Sequence, residues 1–396
     1  MTAIEIDRPS FKLEDLWTDR RWRAITFQIL ALAGLFAFLS YIVSNTISNL
    51  ELLGIETGYG FLNDPSSYDI NQTLIEYDSR SSHGRAAIVG ILNTGLVALC
   101  GIVFATLVGF TAGVLRLSHN WLVSRLVYCY VEFTRNVPLL LQILLWHGII
   151  VHSLPRPKQA LEPASGFFLS NRGFATPSPV YESGSWAILV ALIVGIVGAI
   201  WFSRYATRVQ AETGKHLPVV WVGFGLILGL PVLAYLASGM PISLDWPALK
   251  GFNFRGGMTI TPEFLALWFA LSIYTGAFIA EIVRAGIQSV SHGQTEAAHA
   301  LGLRPNWTMR LVILPQALRV IIPPLISQYL NLTKNSSLAI AVGYMDIVAT
   351  IGGISLNQTG RALECMSIVL AVYLAFSLLI SAVMNWYNRR VALVER

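Results

Sequence analysis

Lys334 is the residue that most demands a chemical explanation. It stands deep in an otherwise apolar run, Val320 to Tyr344, where a charge costs a few kcal/mol to insert into a bilayer. Gln328, Asn331, Asn335, Ser336 and Ser337 accompany it. Together they could line a polar path and meet the charged and polar groups of a passing solute. They could equally form an interhelical hydrogen-bond cluster, and the residue types leave both open. Glu281 with Arg284, and Glu132 with Arg135, are i, i+3 pairs of opposite charge that can meet on one helix face. Each suits a structural pair at the end of a span or a gate. If Glu263 marks one membrane surface, the ~27 Å rise to Glu281 brings it near the other. A crossed network among the four charges is one arrangement their spacing allows.

Other chemistry is missing from the sequence. The histidines His83, His119, His147, His152, His216, His292 and His299 show no metal-ligand spacing, so no metal and no catalytic role is expected. Cys100, Cys129 and Cys365 lack paired spacing and read as small apolar residues. No glycine-rich loop ends in Gly-Lys-Ser or Gly-Lys-Thr, so the chain is not itself a P-loop ATPase. No cofactor is expected in this chain.

The elements that must position these residues are membrane helices. Of 396 residues, 54% are hydrophobic and 12% charged, against roughly 25% charged in soluble domains. Ala24 to Leu50, Ala86 to Leu115, Asn136 to Pro155, Ser183 to Ser203, Leu217 to Leu244 and Cys365 to Asn388 carry no charge at all. Each meets or approaches the ~20 residues that cross a ~30 Å hydrocarbon core, where unpaired backbone groups force a helix. Phe264 to Ala280 and Val320 to Tyr344 add two more. The fold class is therefore an all-α polytopic membrane protein of about eight transmembrane helices. Pro323 and Pro324 are expected to bend or restart the seventh.

The +5 net charge is informative loop by loop, because Lys and Arg gather on the cytoplasmic side. Lys12, Arg20, Arg21 and Arg23 precede the first helix. Arg116 and Arg125 follow the second, and Arg204, Arg208 and Lys215 the fourth. Arg284, Arg304, Arg310 and Arg319 follow the sixth, and Arg389 and Arg390 the last. All fall on one side when both termini are cytoplasmic. The expected organisation is a cytoplasmic arm (1–23), a first helix (24–46) and an outer segment (47–85). Helices two and three (86–151), a second outer segment (152–185) and helices four and five (186–240) come next. Helices six to eight (258–390) complete the chain. The arm has amphipathic character from Phe11, Leu13, Leu16 and Trp17.

Within the last block, residues 288–318 are too polar to cross and too periodic to be loose. Glu296, Ala297 and Ala298 favour helix, while Gly302 permits a turn that a side chain would obstruct. A second amphipathic stretch, Trp307 to Ile313, runs into Leu314 and Pro315. Two short helices joined at a glycine would make a rigid cytoplasmic projection able to pass force to a soluble partner.

The spacing of Glu296, Ala297, Ala298, Gly302, Leu314 and Pro315 resembles the EAA loop of bacterial ABC-transporter permeases. That pattern is Glu-Ala-Ala, three residues, Gly, nine residues, Ile, one residue, Leu-Pro; Val312 replaces the usual Ile. Asn93-Thr94, the Glu132 to Leu140 stretch, YTGAFIAEIVRAGI at Tyr274 to Ile287 and SQYLNLTKNSSLA at Ser327 to Ala339 are similar to the polar amino-acid uptake subgroup. Within it, the long chain resembles the Q-type permease of general L-amino-acid (glutamate/glutamine/aspartate/asparagine) importers. The resemblance implies a five-helix type I ABC importer core, here helices two, three, six, seven and eight, with helices one, four and five additional. It implies an inner-membrane location, a homologous second permease and an ATP-binding subunit dimer that uses ATP and magnesium. A periplasmic amino-acid-binding protein would deliver substrate, and alternating access would carry it inward, coupled through the EAA loop. Two rivals remain on residues alone. An ion-driven secondary carrier would need several deep ionisable groups, and only Lys334 is clearly deep. A non-transporting scaffold would leave the polar cluster unexplained. Nucleic-acid binding is disfavoured, as the basic residues are scattered over helix ends.

Overall fold

The computed structural model describes residues 20–52, 54 and 58–391; most of the expected arm, with Lys12 and its apolar residues, lies outside them. Helix α1 spans Arg20–Leu52, α2 His83–Leu115, α3 Trp121–Asn136 and α4 Leu139–Ser153. After a set of strands come α5, Trp186–Thr213, and α6, Val219–Ala237. Helix α7, Pro262–Gln288, leads to the short α8, His292–Ala300, and to α9, Pro305–Val342. A π-helical turn, Val348–Ser355, continues into α10, Leu356–Thr359, and α11, Ala362–Val391, ends the described chain. Seven of the described helices are long and apolar enough to cross a membrane, and the bent pair α3–α4 makes up to eight.

Small residues let the central helices approach. Gly101, Ala105, Gly109 and Gly113 recur every fourth position on α2, the spacing that brings membrane helices into backbone contact. A Cβ at Gly109 would stand 2.5 Å from the Ile279 Cβ of α7, and one at Gly113 would stand 2.7 Å from the Ala280 carbonyl oxygen. Leu332 of α9 covers Gly101, and Leu267, Leu271, Ile279, Ile321 and Leu332 fill the same core. In contrast, the apolar windows of α1 and α6 are 0% buried and those of α5 and α11 only 6%, though α11 also carries the buried Cys365 and Val369. The additional helices thus contribute almost nothing to this core.

Three local arrangements differ from the sequence expectation. First, the third crossing is broken. Helices α3 and α4 meet at 108°, with Pro138 extended at the joint (φ −55°, ψ 135°). The carbonyls released there are recaptured by Gln142, whose buried amide donates to Thr134 O and Val137 O, both at 2.9 Å. Glu132 and Arg135 therefore sit on a separate helix, not at the start of the crossing. Gln142→Leu should lower stability by about 1–3 kcal/mol, because two buried carbonyls lose their donor. A thermal melt of the purified protein in detergent, showing a lower midpoint than wild type, checks this.

Second, Pro323 and Pro324 do not restart α9; its regular part runs through them from Leu314 to Asn335. Ile321, Ile322 and Leu325 are buried beside them, and this packing keeps the helix in register despite the lost donors. The helix changes character later, tightening to a 3₁₀ turn over Ser336–Val342 and ending at Gly343, φ +80°.

Third, the outer segments are not all loop. Strands β1 (Leu161–Ala164), β2 (Phe167–Ser170), β3 (Gly173–Thr176) and β4 (Ser178–Tyr181) precede α5. Strands β5 (Ile242–Asp245), β6 (Ala248–Lys250), β7 (Asn253–Arg255) and β8 (Met258–Ile260) follow α6. They form one sheet in the order β1-β2-β3-β8 and two pairs, β4-β5 and β6-β7. Gly173, φ +108°, closes the β2–β3 turn where any Cβ would strike the Ile260 carbonyl at 2.1 Å. This β cap covers one end of the bundle and hands the chain to α7, whose first turn is capped by the Thr261 hydroxyl accepting from Phe264 N.

The segment between α1 and α2 is tied to the same end. Gly58 N donates to Glu364 at 2.6 Å, and Tyr68 OH and His83 Nδ1 lie 3.1 and 2.8 Å from Ser355 Oγ. Burial pushes the Tyr68 phenol up to about 12, so it stays a neutral hydrogen-bonding group at ordinary pH.

Candidate functional site

At the end opposite the cap, α8 and α9 form an elbow. The helix α8 ends in a left-handed glycine: Gly302 has φ +77°, Gly302 N donates to His299 O at 2.9 Å and Leu303 N to Ala298 O at 3.1 Å. That bonding pattern satisfies the last carbonyls of α8 and requires a positive φ at residue 302. Glu296 and Ala297 are exposed and Ala298 is buried, so one face holds the elbow on the bundle and the other is free. Leu314 is half-buried and Pro315 exposed at the start of the regular part of α9. Gln316 Nε2 bonds Gln294 Oε1 at 3.2 Å and braces the two arms. Leu301 is 82% exposed, and Trp307, Met309 and Leu311 are exposed beside it. An apolar tip on a polar projection marks a surface that another protein covers.

Just inside the elbow lies a charge cluster. Arg116, at the end of α2 with a side chain only 13% exposed, bonds Glu281 of α7 and stands 3.8 Å from Glu132 of α3. Arg284 Nε donates to both Glu281 oxygens at 3.2 Å. Three of the four expected charges, Glu132, Glu281 and Arg284, are gathered around Arg116, and Arg135 forms no ion pair with them. The Arg135 guanidinium instead lies 5.2 Å from the Phe278 ring centroid. Three helices thus meet through one largely covered guanidinium, which in the sequence served only as a topology marker.

The polar residues of α9 divide between two faces. Asn331 and Lys334 are exposed, while Gln328 and Asn335 are half-buried. Ser336 is fully buried and donates to Thr333 O at 2.7 Å, so it caps its own helix. Because Leu332 sits over Gly101, far from either end of α2, Lys334 lies at a middle depth. Among the described residues its ammonium has no ion pair. An unpaired ammonium at that depth belongs against a protein partner or a water path, not against lipid tails.

One buried acid escaped the sequence reading. Asp346, 1% exposed, accepts from Tyr373 OH at 3.1 Å and from Ala349 N at 2.9 Å. It lies between α9 and the Val348–Ser355 turn, which packs on Gly90 of α2 so closely that a Cβ there would meet Thr350 Oγ1 at 2.4 Å. The signal was available: from Asn335 to Gly360 it is the sole charged residue.

Residues 187–393 match the family model described as the binding-protein-dependent transport system inner membrane component. The chain belongs to that family. Curated relatives agree over nearly its whole length. The general L-amino acid transport system permease protein AapQ of Rhizobium johnstonii is 48% identical over 96% of this chain and 94% of its own. The putative amino-acid ABC transporter permease protein YhdX of Escherichia coli is 49% identical over 94% and 95%. The glutamate/glutamine/aspartate/asparagine transport system permease protein BztB of Rhodobacter capsulatus is 47% identical over 100% of both. As an inner membrane component of this family, the chain is a multi-pass permease of an ABC importer. The extra helices and the β cap lie within the length it shares with these permeases.

Proposed function

We propose that this permease carries polar L-amino acids into the cytoplasm by alternating access, as one of two homologous membrane subunits driven by a separate ATP-binding subunit dimer. The exposed elbow of α8 and α9 carries the reading. It is rigid, braced at both arms and apolar at its tip, as a lever pushed by a soluble partner must be. That partner binds ATP and magnesium, and a periplasmic binding protein delivers substrate at the capped end. In this reading both termini are cytoplasmic and the cap is periplasmic. Glu296, Ala297, Ala298, Gly302, Leu314 and Pro315 form the coupling surface. The exposed face of α9, with Gln328, Asn331, Asn335 and Lys334, lines the path where the second permease packs. Glu132, Glu281 and Arg284, joined by Arg116, close its inner end. Ser336 and Arg135 stand behind these surfaces and support them. The amino-acid cargo rests on the names of the relatives, and on a mid-depth ammonium and amides able to meet a zwitterion.

Gentle detergent extraction from the native membrane, with mass spectrometry of what accompanies the chain, tests the assembly. A second permease and an ATPase are expected; recovery of the chain alone from well-preserved membranes would overturn the assembly and favour the ion-driven carrier instead. Lys334→Ala tests the path. Losing a charge-assisted hydrogen bond of about 1.5–3 kcal/mol should cut uptake roughly tenfold or more, or alter the preference among amino acids, at unchanged subunit level. If only the subunit level falls, the ammonium is structural.

A further inference from the structure

Three cations converge on the β cap without an acid between them. A cavity of about 680 Å³ is lined by Arg156, Lys158 and Arg172, with Leu154 and Phe252 in its wall. The Lys158 ammonium lies 4.9 Å from the Phe252 ring centroid. Among the described residues, none of the three forms an ion pair. Like charges gathered around one concavity repel each other, and a bound anion removes that cost.

The position says which anion. Leu154 directly follows Ser153, the last residue of α4, so the cavity opens where a span leaves the hydrocarbon. Exposed Tyr181, Trp186 and Trp246 stand on the cap and at the start of α5, and such amphipathic rings collect at the headgroup level. Phe252, 75% exposed, offers an apolar wall that a small soluble anion does not need. Helices α5 and α6, which the strands of the cap bracket in sequence, are almost unburied along their apolar windows, so the cap lies next to lipid-facing spans. These cations also run against the bias that gathers Arg204, Arg208, Lys215, Arg304 and Arg310 at the opposite end, and so call for a local reason.

We propose that the cavity holds the phosphate headgroup of an anionic phospholipid and so fixes the β cap to the membrane surface. Basic pockets at helix ends recognise such headgroups, each cation strengthening the attraction. The site is separate from the elbow and from the α9 face, and it does not depend on what the permease carries.

The test uses the full chain with its co-purifying subunits in detergent. The complex is exposed to phosphatidylglycerol or phosphatidylcholine of matched acyl chains, and retained lipid is counted by native mass spectrometry. Wild type should keep phosphatidylglycerol over phosphatidylcholine by about tenfold. The triple variant Arg156→Gln, Lys158→Gln, Arg172→Gln should lose that preference, and the pair Arg156→Lys, Arg172→Lys should keep it, with melting midpoints near wild type. Should the triple variant melt early, Arg172→Gln alone is read against Arg172→Lys. Equal retention of the two lipids overturns the proposal, as does a preference that survives neutralising the cations. Displacement of the lipid by excess inorganic phosphate marks a soluble-anion site instead. Weakened capture of an acidic protein by the triple variant, with lipid retention intact, makes the cavity a protein contact.

Discussion

Gly302→Asp should abolish amino-acid uptake while leaving the chain in the membrane at normal level. The backbone at this position has φ +77°, and an added Cβ would find nothing within 4 Å. The substitution therefore causes no clash. Its conformational cost is the left-handed strain of an L-residue, about 1–2 kcal/mol, and Asp is among the side chains that bear it best. That is too little to unfold a bundle whose core lies elsewhere. At the tip, however, it sets a carboxylate beside Leu301 and shifts the angle between α8 and α9, the two features a docked ATPase would sense. Uptake of a labelled amino acid, with immunodetection of the chain in membranes, separates the two effects. Normal uptake would falsify the coupling role of the elbow. Loss of the chain itself would mean that the elbow is needed for assembly and that its role in transmission must be tested with Gly302→Ala.

Gly109→Leu should prevent the bundle from forming. Here the Cβ alone would stand 2.5 Å from both Cβ and Cγ2 of Ile279 and 2.9 Å from the Gly276 carbonyl oxygen. Two of these neighbours are held at or near the α7 backbone, so relief requires the helices to separate. Overpacking of ordinary cores costs about 1–3 kcal/mol; separating α2 from α7 also forfeits contacts at Ala105 and Gly113. The expected result is little or no monodisperse protein after detergent extraction. Gly34→Leu on α1, where nothing lies within 4 Å, should extract normally. Equal yields of the two variants would show that the α2–α7 contact is looser than the structure has it.

What was legible in the sequence follows from the solvent each residue meets. In hydrocarbon the backbone must bond to itself, so the charge-free runs gave the helices, and the Glu296–Pro315 spacing gave the elbow with its glycine. Where two solutions satisfy the backbone, the pattern was silent. Asn136 to Pro155 reads as one apolar run, yet Gln142 allows a sharp bend inside it by donating to the freed carbonyls. The β cap went unread because its strands are three or four residues long and β3 finds its partner β8 only beyond two intervening helices. Ser336 stands beside Lys334 in the sequence, but the helix tightens there and the hydroxyl turns inward. Arg116 and Asp346 are the clearest omissions. Each is a lone charge next to an apolar stretch, and its partners come from other helices.

The ladder between β4 and β5 places Tyr181 opposite Ile242, a separation of about 5 Å between Cα atoms. The sixty-odd residues that pass through α5 and α6 thus begin and end at neighbouring points. To the bundle, they are a detour that starts and finishes at one doorstep. Such a cassette can be trimmed, lengthened or exchanged over evolutionary time without moving α7, the elbow or the face of α9. The same short ladder would also confine any tilting of the two helices to a swing about the cap, leaving the central packing undisturbed.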